Sequence, residues 1–388
     1  MSYANQQSTN KSNLTKSRTS LISSIFLCSI ALIACNGGSS SPAPTPTPTP
    51  TTSPEVPAAE QFSANITNEI TAINATQNQT VTGVAFPTAT LANLSTKSLN
   101  AASNVQAYML AFESVTDAPI VWTFNGSNWE SFNISRSDFD PYGDANSIYA
   151  TTQGLLIGGS SHESSNFAKV YLFTPTNGLT LYATPPCDVV HLTVNKGHLV
   201  TMSQSIGSST GGQTTYSICV AELNNGTWTT ISPNVNTGLP ANPYYLNLTS
   251  INNSVTISGS SDMYGDNVNN ISPSMLSYTT PNWTAQSTPP RENGHILLSS
   301  TQNKFGTIYA AALTNAFPDG VTLGTATISK SVNGAWTLVN VPFLNGLNTN
   351  LIDLYPDNFG NIYATVSYFP AVNRSPIITT ILVESAPQ

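Results

Sequence analysis

The clearest candidate for catalytic chemistry is the run Gly207-Ser208-Ser209-Thr210-Gly211, which fits the G-x-S-x-G arrangement of a serine nucleophile. In that arrangement a strained turn between a strand and a helix exposes the serine beside an oxyanion hole. Here the run lies in a Gly, Ser and Thr stretch between two strand-like segments, and no helical pattern follows it. We therefore expect a flexible hairpin tip and no catalytic role for Ser209.

Acidic residues offer a second kind of chemistry. Asp138, Asp140 and Asp144 fall close together and could give oxygen ligands to Ca²⁺, and the pair Asp262 and Asp266 repeats part of the pattern. The spacing does not fit an EF-hand loop, which needs a carboxylate at its twelfth position. These aspartates are weak calcium candidates, solvated turn residues are the favoured interpretation, and no metal site is predicted.

Other catalytic sets find no support in the sequence. The four histidines show no zinc-type spacing, and nothing marks the copper site of a galactose-oxidase type of enzyme. Arg136, Arg291 and Arg374 fall on different kinds of loop, so we do not expect them to clamp a substrate carboxylate as in sialidases. We predict no catalytic residues and no cofactor.

Two sequence elements recur about every 50 residues, a period typical of propeller blades or solenoid repeats. The first is a small or turn residue before an apolar run, beginning at Asn104, Gly154, Gly197, Ser254, Gly306 and Gly360. The second is an aromatic or apolar residue after an Asn or Gly turn: Trp129, Leu179, Trp228, Trp283 and Trp336. Such tryptophans could stack on carbohydrate, but their repeated position favours packing between blades.

Each repeat is composed of short strands and hairpin turns, and no 3.6-residue apolar period follows residue 105. This content predicts an all-β fold, a β-propeller of about six four-stranded blades, with seven possible. The last repeat has a late strand at 377–383 but no outer strand. We expect an N-terminal strand at 79–86 to complete that blade and close the ring.

Within these repeats, LLIGG at 155–159 followed by Tyr171 resembles a kelch repeat, and the stretch 255–291 is similar. The other copies lack the paired glycines. The turn at Asn333 is similar to a degraded Asp-box of sialidase-type propellers. The resemblance covers about residues 104–388 and implies a degenerate kelch-type, galactose-oxidase-like propeller.

Composition limits the class of partner. Charged residues make up 8% of the chain, its net charge is −8, and loss of residues 1–34 makes that −11. Nucleic acid is therefore not an expected partner, because its binding requires clustered Lys and Arg. Beyond residue 35 the cysteines are Cys187 and Cys219, which an exported compartment would allow to form a disulfide, with two free thiols as the alternative.

The N-terminal region has a basic start and an apolar stretch at 21–34, too short to cross a bilayer core. It ends in Leu-Ile-Ala-Cys35, which resembles the lipobox of bacterial lipoproteins. The resemblance implies a signal peptide at 1–34, a lipid on Cys35, and anchoring to a membrane of a Gram-negative bacterium. Asn36 favours the outer membrane.

The remaining chain divides into a spacer and a folded region. Residues 35–60 hold the lipidated cysteine and a disordered Pro/Thr-rich linker, which would adopt extended polyproline II structure. Residues 61–388 are the predicted propeller. We expect a membrane-anchored envelope lipoprotein that binds a protein or glycan ligand. A polysaccharide-acting hydrolase or lyase is the alternative, and a structural envelope protein is a third possibility.

Overall fold

The computed structural model describes eleven segments of the chain. They are 79–92, 105–113, 118–134, 143–161, 168–206, 216–233, 243–261, 272–291, 296–314, 324–369 and 378–384. The named elements in these segments are strands, apart from one short 3-10 turn at Pro342–Leu344. Within them, no helix has the length and apolar character needed to span a membrane.

The strands form six antiparallel sheets of consecutive strands, which are the six blades of a β-propeller. Blade 1 contains β1 (Gln79–Ala85), β2 (Ala107–Glu113), β3 (Pro119–Phe124) and β4 (Trp129–Asn133). Blade 2 contains β5 (Gly143–Thr151), β6 (Gly154–Ser161), β7 (Lys169–Thr174) and β8 (Gly178–Ala183). Blade 3 contains β9 (His191–Asn195), β10 (His198–Ile206), β11 (Tyr216–Asn224) and β12 (Thr227–Thr230).

The other three blades repeat this order along the chain. Blade 4 contains β13 (Pro243–Ile251), β14 (Ser254–Ser261), β15 (Ser272–Thr279) and β16 (Asn282–Ala285). Blade 5 contains β17 (Ile296–Gln302), β18 (Ile308–Thr314), β19 (Thr325–Val332) and β20 (Ala335–Val339). Blade 6 contains β21 (Asn348–Pro356), β22 (Ile362–Phe369) and β23 (Ile378–Glu384), three strands in the described part of the chain. The predicted all-β propeller is confirmed, with six blades.

One detail of the predicted ring closure is wrong. The strand expected at 79–86 exists as β1, but it pairs with β2 as the innermost strand of blade 1 instead of completing blade 6. The repeated apolar runs begin the second strand of each blade, so each blade starts one strand earlier than the repeats indicate. The innermost strands are less conspicuous in the sequence because polar residues on them line the axis of the ring.

Six apolar clusters hold the ring together, one between each pair of neighbouring blades. Trp283 is buried between blades 3 and 4, and its indole N–H donates to the carbonyl of Ile231. Trp129, Trp228 and Trp336 pack against the other clusters. The recurrent tryptophans therefore pack between blades, as their repeated position predicts.

Five of the six innermost strands carry a β-bulge at a similar place. In each of them, one residue has no partner in the pairing with the second strand of the blade. The skipped residues are Thr82, Asn146, Leu246, Leu298 and Asn350. A bulge increases the local twist and changes the direction in which the next side chain points. This repeated irregularity sets which polar groups reach the neighbouring blade.

Candidate functional site

A channel of about 860 Å³ runs through the region where the innermost strands of all six blades meet. Residues of β1, β5, β9, β13, β17 and β21 line it, together with the turns that follow these strands. Pockets of this size accommodate small ligands or parts of larger ones. The channel is therefore a candidate site for a ligand.

Polar side chains directly after the bulges connect neighbouring blades along this channel. Ser147 Oγ accepts a hydrogen bond from the backbone N–H of Leu192 at 3.0 Å, and Ser299 Oγ accepts one from Leu354 at 3.1 Å. Asn247 Oδ1 accepts a hydrogen bond from the backbone N–H of Ser300 at 3.3 Å. In each case the acceptor belongs to one blade and the donor to the next, so these bonds fix the channel wall.

Asp353 is one of the two acidic residues that line the channel. Ser299 Oγ already accepts from Leu354 N and from Asn247 Nδ2, so its one proton is directed to the Asp353 carboxylate. Burial raises the pKa of Asp353 from 3.8 to about 6, an effect that the Ser299 hydrogen bond partly offsets. The aspartate therefore changes charge near pH 6.

Two tyrosines and a histidine are further ionisable groups of the lining, which also includes Lys196 and Lys304. Burial and the nearby Asp353 charge raise the pKa of Tyr355 well above its usual value. Burial also raises the pKa of Tyr149, although hydrogen bonds to Thr88 and Thr193 oppose this. Burial lowers the pKa of His191 to about 4. At neutral pH these three side chains are therefore uncharged groups that can donate hydrogen bonds.

A second carboxylate, Asp357, lies at the channel mouth but is used by the fold. Its Oδ1 accepts from the backbone N–H groups of Phe359, Gly360 and Asn361 at 2.8–2.9 Å. Its Oδ2 accepts from Asn361 Nδ2 at 2.7 Å and from the Tyr363 hydroxyl at 3.2 Å. These five donors make Asp357 the centre of the turn between β21 and β22.

The segment 86–92 runs across part of the channel mouth after β1. Leu91 and Gln153 exchange two hydrogen bonds at 3.1 Å, and Ala92 N donates to the carbonyl of Gly197 at 2.9 Å. The Asn358 amide donates to the carbonyl of Pro87. The segment is therefore attached to blades 2, 3 and 6, which narrows the opening on that side.

Several residues singled out in the sequence lie outside the described segments. These are Ser209, Asp138, Asp140, Asp262, Asp266, Arg136, Arg374 and Cys35. The backbone of Asp144 lies in β5, and Arg291 directly precedes an undescribed stretch. No group of three His, Cys, Asp or Glu side chains in the described segments could hold a metal ion.

Cys187 and Cys219 are joined by a disulfide in the structure, with their Cα atoms 6.3 Å apart. Cys187 lies in the connection between blades 2 and 3, and Cys219 lies on β11. The bond thus attaches an inter-blade connection to the third strand of blade 3.

The channel residues Asp353, Tyr355 and His191 were not identified from the sequence. Asp353 and Tyr355 are two residues apart, so they share one face of β21, and this alternation was the available signal. His191 lies on a different blade, and only closure of the ring brings it to the same channel.

No protein-family model and no curated protein sequence matches the chain. Among solved structures, the chain is similar to Aleuria aurantia lectin in complex with α-methyl-L-fucoside (10% identity, TM-score 0.47), covering 79% of this chain and 96% of the lectin. It is similar to AofleA from Arthrobotrys oligospora (9%, TM-score 0.44; 79% and 89% covered). It is also similar to Trypanosoma rangeli sialidase in complex with sialic acid (10%, TM-score 0.47; 78% and 54% covered). Since these values are low, the assignment of six blades here rests on the strand topology itself.

Proposed function

We propose that this protein is a glycan-binding module of the cell envelope, with the central channel and its mouth as the binding region. The observation that supports this most is the chemistry of the described lining. Its polar side chains, which lie among apolar residues, are mostly hydroxyl, amide and phenol groups, and Asp353 is the carboxylate that the turns do not use. Sugar hydroxyl groups both donate and accept hydrogen bonds, so they match such a wall.

The alternative, a polysaccharide hydrolase or lyase, fits the described channel less well. Glycoside hydrolysis commonly needs two carboxyl groups on opposite sides of the scissile bond. Of the two carboxylates that line the described channel, Asp357 is occupied by five donors. A tyrosine nucleophile is also disfavoured, because the raised pKa of Tyr355 opposes formation of the phenolate.

The location belongs to the same proposal. Residues 1–34 would be removed as a signal peptide, Cys35 would carry the lipid, and 35–60 would hold a degenerate kelch-type propeller away from the membrane. A lipid-anchored display with a spacer suits a module that binds extended envelope glycans. Protein ligands are the alternative class.

We test binding with the full chain, purified in detergent and immobilised. A polysaccharide extract of the cell envelope is passed over it, and the same chain unfolded in urea serves as the control. The proposal predicts saturable retention of polysaccharide on the folded chain alone. Equal retention on both, or none on either, would contradict it.

The anchor has its own test. Cys35→Ser removes the acceptor of the lipid, so the variant should leave the membrane fraction after cell lysis while the wild-type chain stays there. Cys28→Ser is the matched control, because it changes a cysteine within the proposed signal peptide and should keep the membrane location. Membrane retention of the Cys35→Ser variant would show that the lipobox interpretation is wrong.

A further inference from the structure

Two turns at the channel mouth share a sequence pattern and a conformation. Asn303-Lys-Phe-Gly-Thr-Ile-Tyr-Ala connects β17 to β18, and Asp357-Asn-Phe-Gly-Asn-Ile-Tyr-Ala connects β21 to β22. In the first turn, Asn303 Oδ1 accepts from the backbone N–H groups of Phe305 and Thr307 at 3.0 Å. Asp357 closes the second turn in the same manner. Both turns are therefore held rigid by their first residue.

The two turns are also joined to each other. Asn303 Nδ2 donates to the carbonyl of Gly360 at 3.4 Å. The Phe305 ring lies against Gly360, where an added Cβ would approach the ring carbon Cε2 to 2.3 Å. The Lys304 ammonium lies 5.0 Å from the centre of the same ring. Phe305 therefore has a fixed place on the neighbouring blade.

Despite this fixed backbone, the two phenylalanines that the turns carry stay open to solvent. Phe305 is 56% exposed and Phe359 is 73% exposed. Single exposed apolar residues are common on proteins, but here two aromatic rings occupy the same position of two adjacent turns. Burial of apolar surface stabilises a protein by about 25 cal/mol per Å², and the exposed surface of these two rings does not contribute this stabilisation. Contact with Gly360 fixes the Phe305 ring, but it leaves more than half of that side chain in solvent.

We propose that Phe305 and Phe359 form a stacking ledge for a sugar ring at the channel mouth, where their neighbours Lys304 and Asn358 line the channel. This inference rests on the proposed glycan-binding function and gives it a location and a contact. The C–H face of a pyranose can lie on a phenyl ring, while Lys304 and Asn358, next to the rings, can bond its hydroxyl groups. The ligand class is a glycan with an accessible apolar sugar face.

The size of the ledge argues against a protein partner or a second copy of this chain. An aromatic side chain buries at most about 250 Å², and a stable interface needs about 800 Å² from each partner. The channel residues next to the ledge in sequence, Lys304 and Asn358, are polar. Two rings with a polar surround fit one or two sugar units.

The test uses a printed array of neutral and acidic oligosaccharides, the full chain in detergent, and the variants Phe305→Ala and Phe359→Ala. Both side chains are exposed, so thermal unfolding should show that the variants remain folded. Leu181→Ala is the matched control, because Leu181 is 58% exposed on the outer strand β8. We expect about ten-fold weaker binding for each phenylalanine variant, equivalent to one lost stacking contact, and unchanged binding for Leu181→Ala.

Replacement by a second aromatic residue distinguishes stacking from general apolar contact. Phe359→Tyr should keep binding near the wild-type level, whereas Phe359→Leu should weaken it like the alanine variant. Glycan binding that none of the phenylalanine variants weakens would overturn the ledge while leaving the proposed function intact. Absence of binding by the wild-type chain to any oligosaccharide would overturn both.

Discussion

At the scale of single residues, the channel contains two ionisable groups whose pKa values shift in opposite directions. Burial raises the pKa of Asp353 from 3.8 to about 6, and burial lowers the pKa of His191 from 6.5 to about 4. Between about pH 4 and pH 6, Asp353 binds a proton in the folded chain that it lacks in the unfolded chain, and His191 does the reverse. The two contributions to folding stability therefore oppose each other in the same pH window.

Linkage gives the sign of each contribution. Protonation of Asp353 stabilises the folded state fully below about pH 4, and this stabilisation is lost as the pH rises through about 6. The neutral form of His191 stabilises the folded state fully above about pH 6.5, and this stabilisation is lost as the pH falls through about 4. In the Asp353→Asn variant only His191 still changes the free energy of unfolding with pH. Between pH 4 and 6.5 that free energy should therefore rise, relative to the wild type, by at most about 3 kcal/mol.

Substitution of the histidine gives the mirror experiment. In the His191→Gln variant only Asp353 still changes the free energy of unfolding with pH. Between pH 4 and 6.5 that free energy should therefore fall relative to the wild type by a similar amount. Urea titrations at pH 4, 5, 6 and 7 measure both variants. Parallel pH profiles for the two variants would show that these groups do not titrate as their burial indicates.

At the scale of elements, the sequence indicated the repeats and the tight turns but not the innermost strands. The turns at Asn225-Gly226 and Asn333-Gly334 have positive φ at both residues, which suits Asn-Gly hairpin turns. The innermost strand β9 alternates polar and apolar residues, and it borders the channel. The sequence of β9 is therefore a weaker signal for a strand than the apolar run of β10, the second strand of the same blade.

The bulges illustrate what a sequence pattern leaves open. A bulge shifts the pairing by one residue without a fixed residue type, so the skipped positions include both Thr82 and Leu298. The inter-blade bonds of Ser147 and Asn247 depend on these shifts. The candidate site consequently depends on ring closure and bulge placement, whereas the number of blades follows from the number of repeats.

Asn247 provides a test of the inter-blade bonds. Its side chain bonds Ser299 Oγ and the backbone N–H of Ser300 in the next blade. Asn247→Ala should lower the free energy of unfolding by about 1–3 kcal/mol, since it leaves buried polar groups unpaired. Urea denaturation measures the change.

Asn282→Ala is the matched control for this loss. Asn282 is exposed at the start of the outer strand β16, so its removal should change stability by less than about 0.5 kcal/mol. Equal effects of the two substitutions would mean that the inter-blade bonds do not stabilise the ring.

At the scale of the whole molecule, closure of the ring depends on side-chain packing between blade 6 and blade 1. Tyr363 of β22 belongs to the cluster of blade 1, and its ring stacks on Phe86 at 4.0 Å between centroids. Tyr355 packs against the same cluster. In the described segments no strand of blade 1 pairs with blade 6, so side-chain packing and the hydrogen bond from Asn358 to the Pro87 carbonyl join the two ends.

The disulfide is the covalent restraint of the described propeller. Cys187 and Cys219 are separated by 32 residues, and cross-linking a loop of this length stabilises a folded chain by about 3–4 kcal/mol in the chain-entropy model. The double variant Cys187→Ser with Cys219→Ser should lose stability on that order. Mass spectrometry of peptides without reduction should find the linked pair in exported protein, and two free thiols there would contradict the prediction.

The central claim is that the propeller binds a glycan without cleaving it. The most direct measurement is the chain length, by mass spectrometry, of polysaccharide retained by the folded full chain after prolonged incubation. The account predicts that polysaccharide is retained and is recovered at its original length. Shortened chains, or no retained polysaccharide at all, would contradict it.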